Sequence, residues 1–219
     1  MNEIEFLTWV RGTGLNIALG LFVLGMLWRL VEIYTLGRKK DLAPTRKVAG
    51  ASGWHTIARR SMPPHSMLKR SPVSYFGGYI FHLGLFITVF FFAPHIKLVE
   101  SLLGISWPGL PSQVIDAVTV VTLATMLLVL FDRINNPVKR FLSTFGDYLA
   151  WALTFLPLLT GFLAVKHLLL PYTTMLALHI LSVELLLIAL PFTKLIHVVT
   201  LFASRWYNGD ISGKRGVPV

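Results

Sequence analysis

The stretch TMLALHILSVELLLIALPFTKLIHVV, residues 174–199, gives the clearest indication of the fold class. It is apolar almost throughout, and it exceeds the ~20 residues that a helix needs to cross a ~30 Å hydrocarbon core. Four similar stretches precede it, at residues 15–34, 73–93, 114–131 and 148–165. Backbone polar groups in lipid must bond within their own segment, so we expect helices. The sequence predicts an all-α integral membrane bundle of five transmembrane helices, forming a single domain over residues 1–219.

The composition agrees with a membrane protein and excludes several kinds of site. The chain is 54% hydrophobic and 14% charged, which leaves little polar surface for a soluble domain of 219 residues. It has no cysteine, so disulfides, thioether-linked haem and cysteine-held iron–sulfur clusters are excluded. The N-terminal MNEIEFLTWVRG lacks the basic start and cleavage site of a signal peptide, so we expect the first span to be retained.

The distribution of basic residues predicts the orientation. The formal net charge is +10, and nine of the 20 Lys and Arg residues fall within the connection 38–70 between the first two spans. By the positive-inside rule, the N-terminus is expected outside and the C-terminus in the cytoplasm. This placement argues against a nucleic-acid partner. We expect the 38–70 connection to dock a cytoplasmic partner, with binding to anionic lipid as the alternative.

The histidines within the apolar stretches predict a cofactor. His179 and His197 are 18 residues apart, which is five turns of one helix and ~27 Å of rise, so they share a face. In depth, His82 matches His197 and His95 matches His179. Bis-histidine ligation is a standard way to hold haem b between helices. We therefore expect two haems b, one at minimum, with His167 as the substitute for His95.

The second histidine of the second span needs a bend in the helix to face its partner. Thirteen residues separate His95 from His82, so a straight helix would rotate one by ~220° relative to the other. Pro94 directly precedes His95, and a proline can kink the helix and redirect the residues beyond the kink.

Other polar or small residues at membrane depth are candidates for supporting roles. Glu184 is a candidate for proton relay or quinone chemistry, with an interhelical hydrogen bond as the plainer reading. Lys97 and the segment 107–111 are candidates for a quinone pocket. Arg29 either meets a haem propionate or extends to the membrane surface. The glycines around His82 in GGYIFHLG allow close approach of a helix or a flat macrocycle.

Two motifs resemble a known family. The segment LALHILSVELLLIALPFTKLIHVVT and the FHLG of residues 81–84 resemble the last and second spans of the respiratory nitrate reductase gamma subunit family. Related membrane cytochromes serve heterodisulfide-reductase-type and sulfur-metabolism complexes. The family's second-span histidines are ten residues apart, whereas position 92 here is Phe and the nearest histidine is His95.

The resemblance implies a diheme cytochrome b of a prokaryotic inner (plasma) membrane. Such a subunit carries electrons between menaquinone or ubiquinone and an iron–sulfur partner on the cytoplasmic side. The inner haem would be held by His82 and His197, and the outer haem by His179 and a second-span histidine. The chain would be an electron-transfer subunit of an oxidoreductase complex rather than a complete enzyme, with no catalytic residue of its own. The alternatives are a haem-free membrane anchor or scaffold and a small proton-coupled transporter.

Overall fold

The chain folds as a set of helices, five of which are long and apolar enough to cross a membrane. The computed structural model describes residues 2–36, 44–46, 52–62 and 64–217. Within these ranges every named element is helical, which confirms the all-α prediction. The first to fifth spans are Glu3–Thr35, Pro72–Phe91, Ser112–Asn135, Phe145–Val165 and Tyr172–Phe192.

The elements follow in chain order. The first span comprises α1 (Glu3–Trp9), a π-helical turn (Val10–Gly14) and α2 (Leu15–Thr35). Between the first and third spans lie α3 (Gly53–Arg60), α4 (His65–Arg70), the second span α5 (Pro72–Phe91) and α6 (Ala93–Leu103). The third and fourth spans are α7 (Ser112–Asn135) and α9 (Phe145–Val165), joined by α8 (Pro137–Leu142). The fifth span begins as α10 (Tyr172–Ala189), continues through 3₁₀ turns at Leu190–Phe192 and Lys194–Ile196, and is followed by α11 (His197–Lys214).

Spans that are consecutive in the chain alternate in direction. Gly77 and Gly84 of α5 lie against residues 129 and 122 of α7, so these helices are antiparallel. The first span runs parallel to α10, since Gly14 lies against Glu184 and Gly25 against Pro191. We call the end where the first span finishes and α5 begins the basic end, because the 38–70 connection meets the bundle there. We call the other end of the bundle the opposite end.

The core joins the second, third and fourth spans. Its buried members are Leu123, Met126 and Leu158, with aromatic side chains packed around them. Trp151 of α9 packs there and donates its Nε1–H to the carbonyl of Met126 at 3.0 Å. Burying the indole ring in this way also satisfies its polar atom. This cluster fixes α9 against α7 and therefore positions the side of α9 that meets α10.

Close packing of α5 on α7 depends on a glycine. A Cβ at Gly84 would overlap the Oγ1 of Thr122. That hydroxyl cannot swing away freely, because it donates to the carbonyl of Val118 at 2.7 Å in a fully buried position. We expect Gly84→Ala to cost about 1–3 kcal/mol through overpacking. Thermal unfolding in detergent would measure the loss, and Gly20→Ala is the control, because a Cβ at Gly20 meets nothing within 4 Å. Equal midpoints for the two variants would contradict this packing.

Two of the expected spans end earlier than the sequence predicted. The fifth is not one helix through residue 199: α10 ends at Ala189, Thr193 is extended with φ −120° and ψ −179°, and α11 starts at His197. The five-turn argument for His179 and His197 was therefore wrong. Pro191 explains the break, because it cannot donate the next backbone hydrogen bond of the helix. The second span likewise stops at Phe91 rather than 93, with Phe92 extended at ψ 123°.

The basic connection joins the C-terminal helix at the basic end. Of the connection 38–70, residues 38–43, 47–51 and 63 lie outside the described residues. Gly53 of α3 lies directly under the indole of Trp206, and Thr56 packs against Gly209. Arg46 donates its backbone N–H to the carbonyl of Lys214 at 2.7 Å. Arg46, α3 and α11 therefore form one surface, which we call the α3–α11 surface.

Candidate functional site

Four of the histidines form two pairs. The ring centres of His82 and His197 are 6.0 Å apart, and those of His95 and His179 are 6.2 Å apart. The first pair joins α5 to the start of α11, towards the basic end. The second joins α6 to α10, towards the opposite end. The structure thus brings together the same partners that the sequence matched by depth.

The bend between α5 and α6 positions His95. Pro94 has no N–H to give to the carbonyl of Phe90, four residues before it. The indole Nε1–H of Trp107 donates to that carbonyl instead, at 2.6 Å. The N–H of Leu110 donates to the carbonyl of Phe91 at 2.9 Å. The loop after α6 therefore caps the end of α5 and allows α6 to leave at an angle that turns His95 towards α10.

The break in the fifth span positions His197. The Nε–H of Arg29 donates to the carbonyl of Pro191 at 2.9 Å, and the guanidinium also pairs with Glu32 at 2.5 Å. Arg29 thus satisfies a carbonyl that the helix break leaves without an intrahelical donor. This contact gives Arg29 a structural role that the sequence did not predict, while its contact with a propionate stays a prediction.

In all four histidines, Nδ1 lies within hydrogen-bond distance of a backbone carbonyl oxygen. Nδ1 lies 2.6 Å from the carbonyl oxygen of residue 78 in His82, and 2.8 Å from that of residue 194 in His197. In His179 it lies 3.0 Å from the carbonyl oxygen of residue 157, and in His95 3.2 Å from that of residue 88. A carbonyl can only accept, so each Nδ1 carries the proton and donates. This leaves the Nε2 lone pair available, which is the arrangement found in metal-ligating histidines.

The electrostatic setting of His95 favours its neutral form. His95 follows the second span, and desolvation by burial lowers the pKa of its imidazole, against the smaller raising effect of its backbone hydrogen bonds. A metal ligand must be neutral imidazole, because the proton and the metal compete for the same lone pair.

The spacing within each pair fits a single metal ion. With metal–nitrogen bonds of about 2.0 Å on opposite sides of a metal, two imidazole ring centres lie roughly 6 Å apart. Each pair supplies two nitrogen ligands. Within the described ranges no three His, Cys, Asp or Glu side chains cluster as a metal site. A metal held by two histidines would need further ligands from a bound group, and the macrocycle of a haem would supply them. The donor set of this chain fits that group.

Glycines leave room beside the histidines. A Cβ at Gly161 of α9 would lie 3.0 Å from Cε1 of His179, so the glycine lets this ring pack closely against the fourth span. A Cβ at Gly78, one turn before His82, would meet nothing within 4 Å. The second-span glycines were predicted from the sequence, but the contribution of the fourth span was not. Pro157 and Gly161 in the sequence LPLLTG could have indicated this contribution of the fourth span, since both residue types leave part of the helix backbone accessible.

Of the remaining candidates, His167 and Glu184 lie apart from the histidine pairs. His167 stands in the turn after α9 with φ 54°, and its ring lies 5.1 Å from that of Tyr172. The structure therefore places His95, and not His167, beside His179. Lys97 is exposed on α6, two residues beyond His95. Glu184 is buried on α10 against the first span.

Comparison with known proteins adds a relative but no family. No family model and no solved structure matches the chain. A protein of Nitratidesulfovibrio vulgaris (strain Hildenborough) is 39% identical over 139 residues, which are 63% of this chain and 61% of that protein. The chain thus matches less than two thirds of that relative's length, and the relative's name, "Protein", states no function. The chain is similar to a bacterial protein over most of its length.

Proposed function

We propose that this protein is a diheme cytochrome b subunit that transfers electrons between a membrane quinone and a partner redox protein. One observation carries the proposal: two histidine pairs have ring centres 6.0 and 6.2 Å apart, and each ring donates Nδ1–H to a backbone carbonyl. Histidines that merely fill space need neither this spacing nor this shared tautomer. The two motifs that resemble those of the nitrate reductase gamma subunit family favour the same function.

Different residues of the chain would hold each of the two haems. A bound haem supplies reversible one-electron transfer. His82 and His197 would hold one haem towards the basic end, and His95 and His179 the other towards the opposite end. The backbone carbonyls fix each imidazole in its tautomer and orientation, which tunes its basicity as a ligand. Two haem sites at different depths would divide electron transfer across the bilayer into two shorter steps.

The orientation and partners form part of the proposal. Basic residues concentrated at one end support a cytoplasmic C-terminus and an outside N-terminus. The bacterial relative supports a prokaryotic source and the five apolar spans support a membrane protein, so we place the chain in a prokaryotic plasma membrane. We place quinone near the His95–His179 pair, with Lys97 close by, and an iron–sulfur subunit on the α3–α11 surface. Menaquinone and ubiquinone both suit such a site.

The purified protein is expected to show a b-type spectrum. The reduced-minus-oxidised difference should contain the α band of bis-histidine haem, with about two haems per chain by pyridine haemochrome assay. Acid solvent should release the haem, because the chain has no cysteine for a thioether link. A haem-free anchor and a proton-coupled transporter would both lack the band. Its absence from freshly purified protein would refute the proposed function.

The chain is also expected to copurify with an iron–sulfur subunit through the basic end. Reversing charge at Arg60, Lys69 and Arg70 should weaken this complex, because exposed cations steer an acidic partner. The matched control is Lys97→Glu, which changes an exposed cation at the opposite end. Copurification in mild detergent, compared at low and high salt, measures the effect. A partner lost equally in both variants, or found in neither the variants nor the parent, would contradict this docking surface.

A further inference from the structure

Glu184 is a buried carboxyl without a cation. The residue is 3% exposed, and its Oε1 has no hydrogen-bond partner among the described residues. Four other carboxylates of the bundle each lie against a cation, in the pairs Glu32–Arg29, Asp116–Lys166, Asp132–Lys139 and Asp147–Lys194. An ionised carboxylate without such a partner is strongly unfavourable in hydrocarbon. The Glu184 carboxyl is therefore held in its protonated form.

The carboxyl lies over bare backbone of the first span. A Cβ at Gly14 would be 3.0 Å from both Oε1 and Oε2 of Glu184. Gly14 ends the π-helical turn Val10–Gly14, and single π turns within α-helices occur frequently at functional sites. Ala177 and Pro191 share the face of Glu184 at seven-residue intervals and are buried as well. The first span and α10 therefore form a tight seam with one acidic group in it.

A second polar atom without a partner lies near the start of the same helix. Thr174 Oγ1 is buried and has no hydrogen-bond partner among the described residues. It precedes Glu184 by ten residues, which is ~15 Å of rise and about 80° of rotation on α10. Buried polar atoms are normally satisfied by protein or by ordered water. Thr174 lies near the start of α10 and Glu184 about three turns further along it, so a proton that entered from that end would pass Thr174 first.

This site is separate from the histidine pairs. Glu184 lies five residues beyond His179, or about 140° around the helix. His179 faces α9, through the carbonyl of Pro157, whereas Glu184 faces the first span. In the described elements that contact α10, the charged groups are Glu3, Glu5, Arg11, Arg29, Glu32, Lys97, Glu100 and Asp147, and none of them forms an ion pair with Glu184.

We propose that Glu184 is a proton-binding site in the membrane interior, loaded along the seam between the first span and α10 from the opposite end of the bundle. Binding forms one O–H bond on the carboxylate and transfers no electron. The site therefore goes beyond the proposed function and does not depend on haem.

Infrared spectroscopy of the full chain in lipid tests the protonated state. We expect a carbonyl stretch of a protonated carboxylic acid that shifts in D₂O and disappears in Glu184→Gln. Glu184→Asp serves if the Gln variant does not fold, and it should move the band rather than remove it. A hydrophobic carbodiimide, which adds the carboxyl O–H across its C=N bond, should label Glu184 and spare the ion-paired Asp132. A band unaffected by both substitutions would overturn the inference.

The route is tested by the rate of deuterium exchange at the same band. Thr174→Val should slow exchange several-fold, because it removes the second buried polar atom without a partner. Thr154→Val is the matched control, since Thr154 lies on α9 and bonds to carbonyls of its own helix. Equal exchange in the two variants would overturn the proposed route. These measurements need no haem. If the freshly purified protein contained no haem but kept the carboxylic-acid band, the proposed function would be refuted and this inference would stand.

Discussion

Replacing His82 or His197 with alanine is expected to remove about one haem per chain, since a bis-histidine site loses one of its two axial ligands. The other haem should remain, because His95 and His179 lie on α6 and α10 and make their own hydrogen bonds. Pyridine haemochrome content and a redox titration that loses one component would measure the change. The double variant His82→Ala/His95→Ala should carry no haem.

The converse substitutions test the other pair. His95→Ala and His179→Ala should each remove the second haem and spare the first. His167→Ala is the matched control, because His167 lies in a turn with φ 54° and its ring packs on Tyr172 rather than on His179. A haem lost in His167→Ala and kept in His95→Ala would show that the ligand is His167. Unchanged haem content in all of these variants would refute haem ligation by the pairs.

The Gly161→Leu variant is expected to lose the His95–His179 haem while the bundle still folds. A Cβ at this position would lie 3.0 Å from Cε1 of His179, and a leucine side chain would push the ring off the fourth span. The imidazole would then lose its hydrogen bond to the carbonyl of Pro157, which holds its orientation. Displacement of about 1 Å is enough to disable a preorganised site.

The control and the milder variant make this result specific. Gly20→Leu adds the same side chain to the first span, where a Cβ meets nothing within 4 Å, and should keep both haems. Gly161→Ala should retain the haem with a shifted midpoint potential, because the ring need move only a few tenths of an ångström. Size-exclusion profiles check folding in each case. Retention of both haems with unchanged potentials in Gly161→Leu would show that His179 is not an axial ligand in this position.

The five helices and the candidate histidines could be predicted from the sequence. Length and hydropathy suffice for the spans, because hydrocarbon leaves the backbone only intrahelical partners. Depth along each span was enough to match His82 with His197 and His95 with His179. The orientation and the haems, which rest on charge placement and the resemblance, stay predictions.

The way in which those histidines come together depends on the folded bundle. The sequence treated residues 174–199 as one helix, whereas the fifth span breaks between Ala189 and His197. A proline shows where a helix loses a donor, but not which distant group replaces it. Here Trp107 replaces the missing donor of Pro94 at the carbonyl of Phe90. Arg29 donates to the carbonyl of Pro191 itself, because the N–H of Leu195 turns to the Oγ1 of Thr193. Those replacements come from residues far along the chain, so only tertiary contacts could fix the direction of the helices that carry His197 and His95.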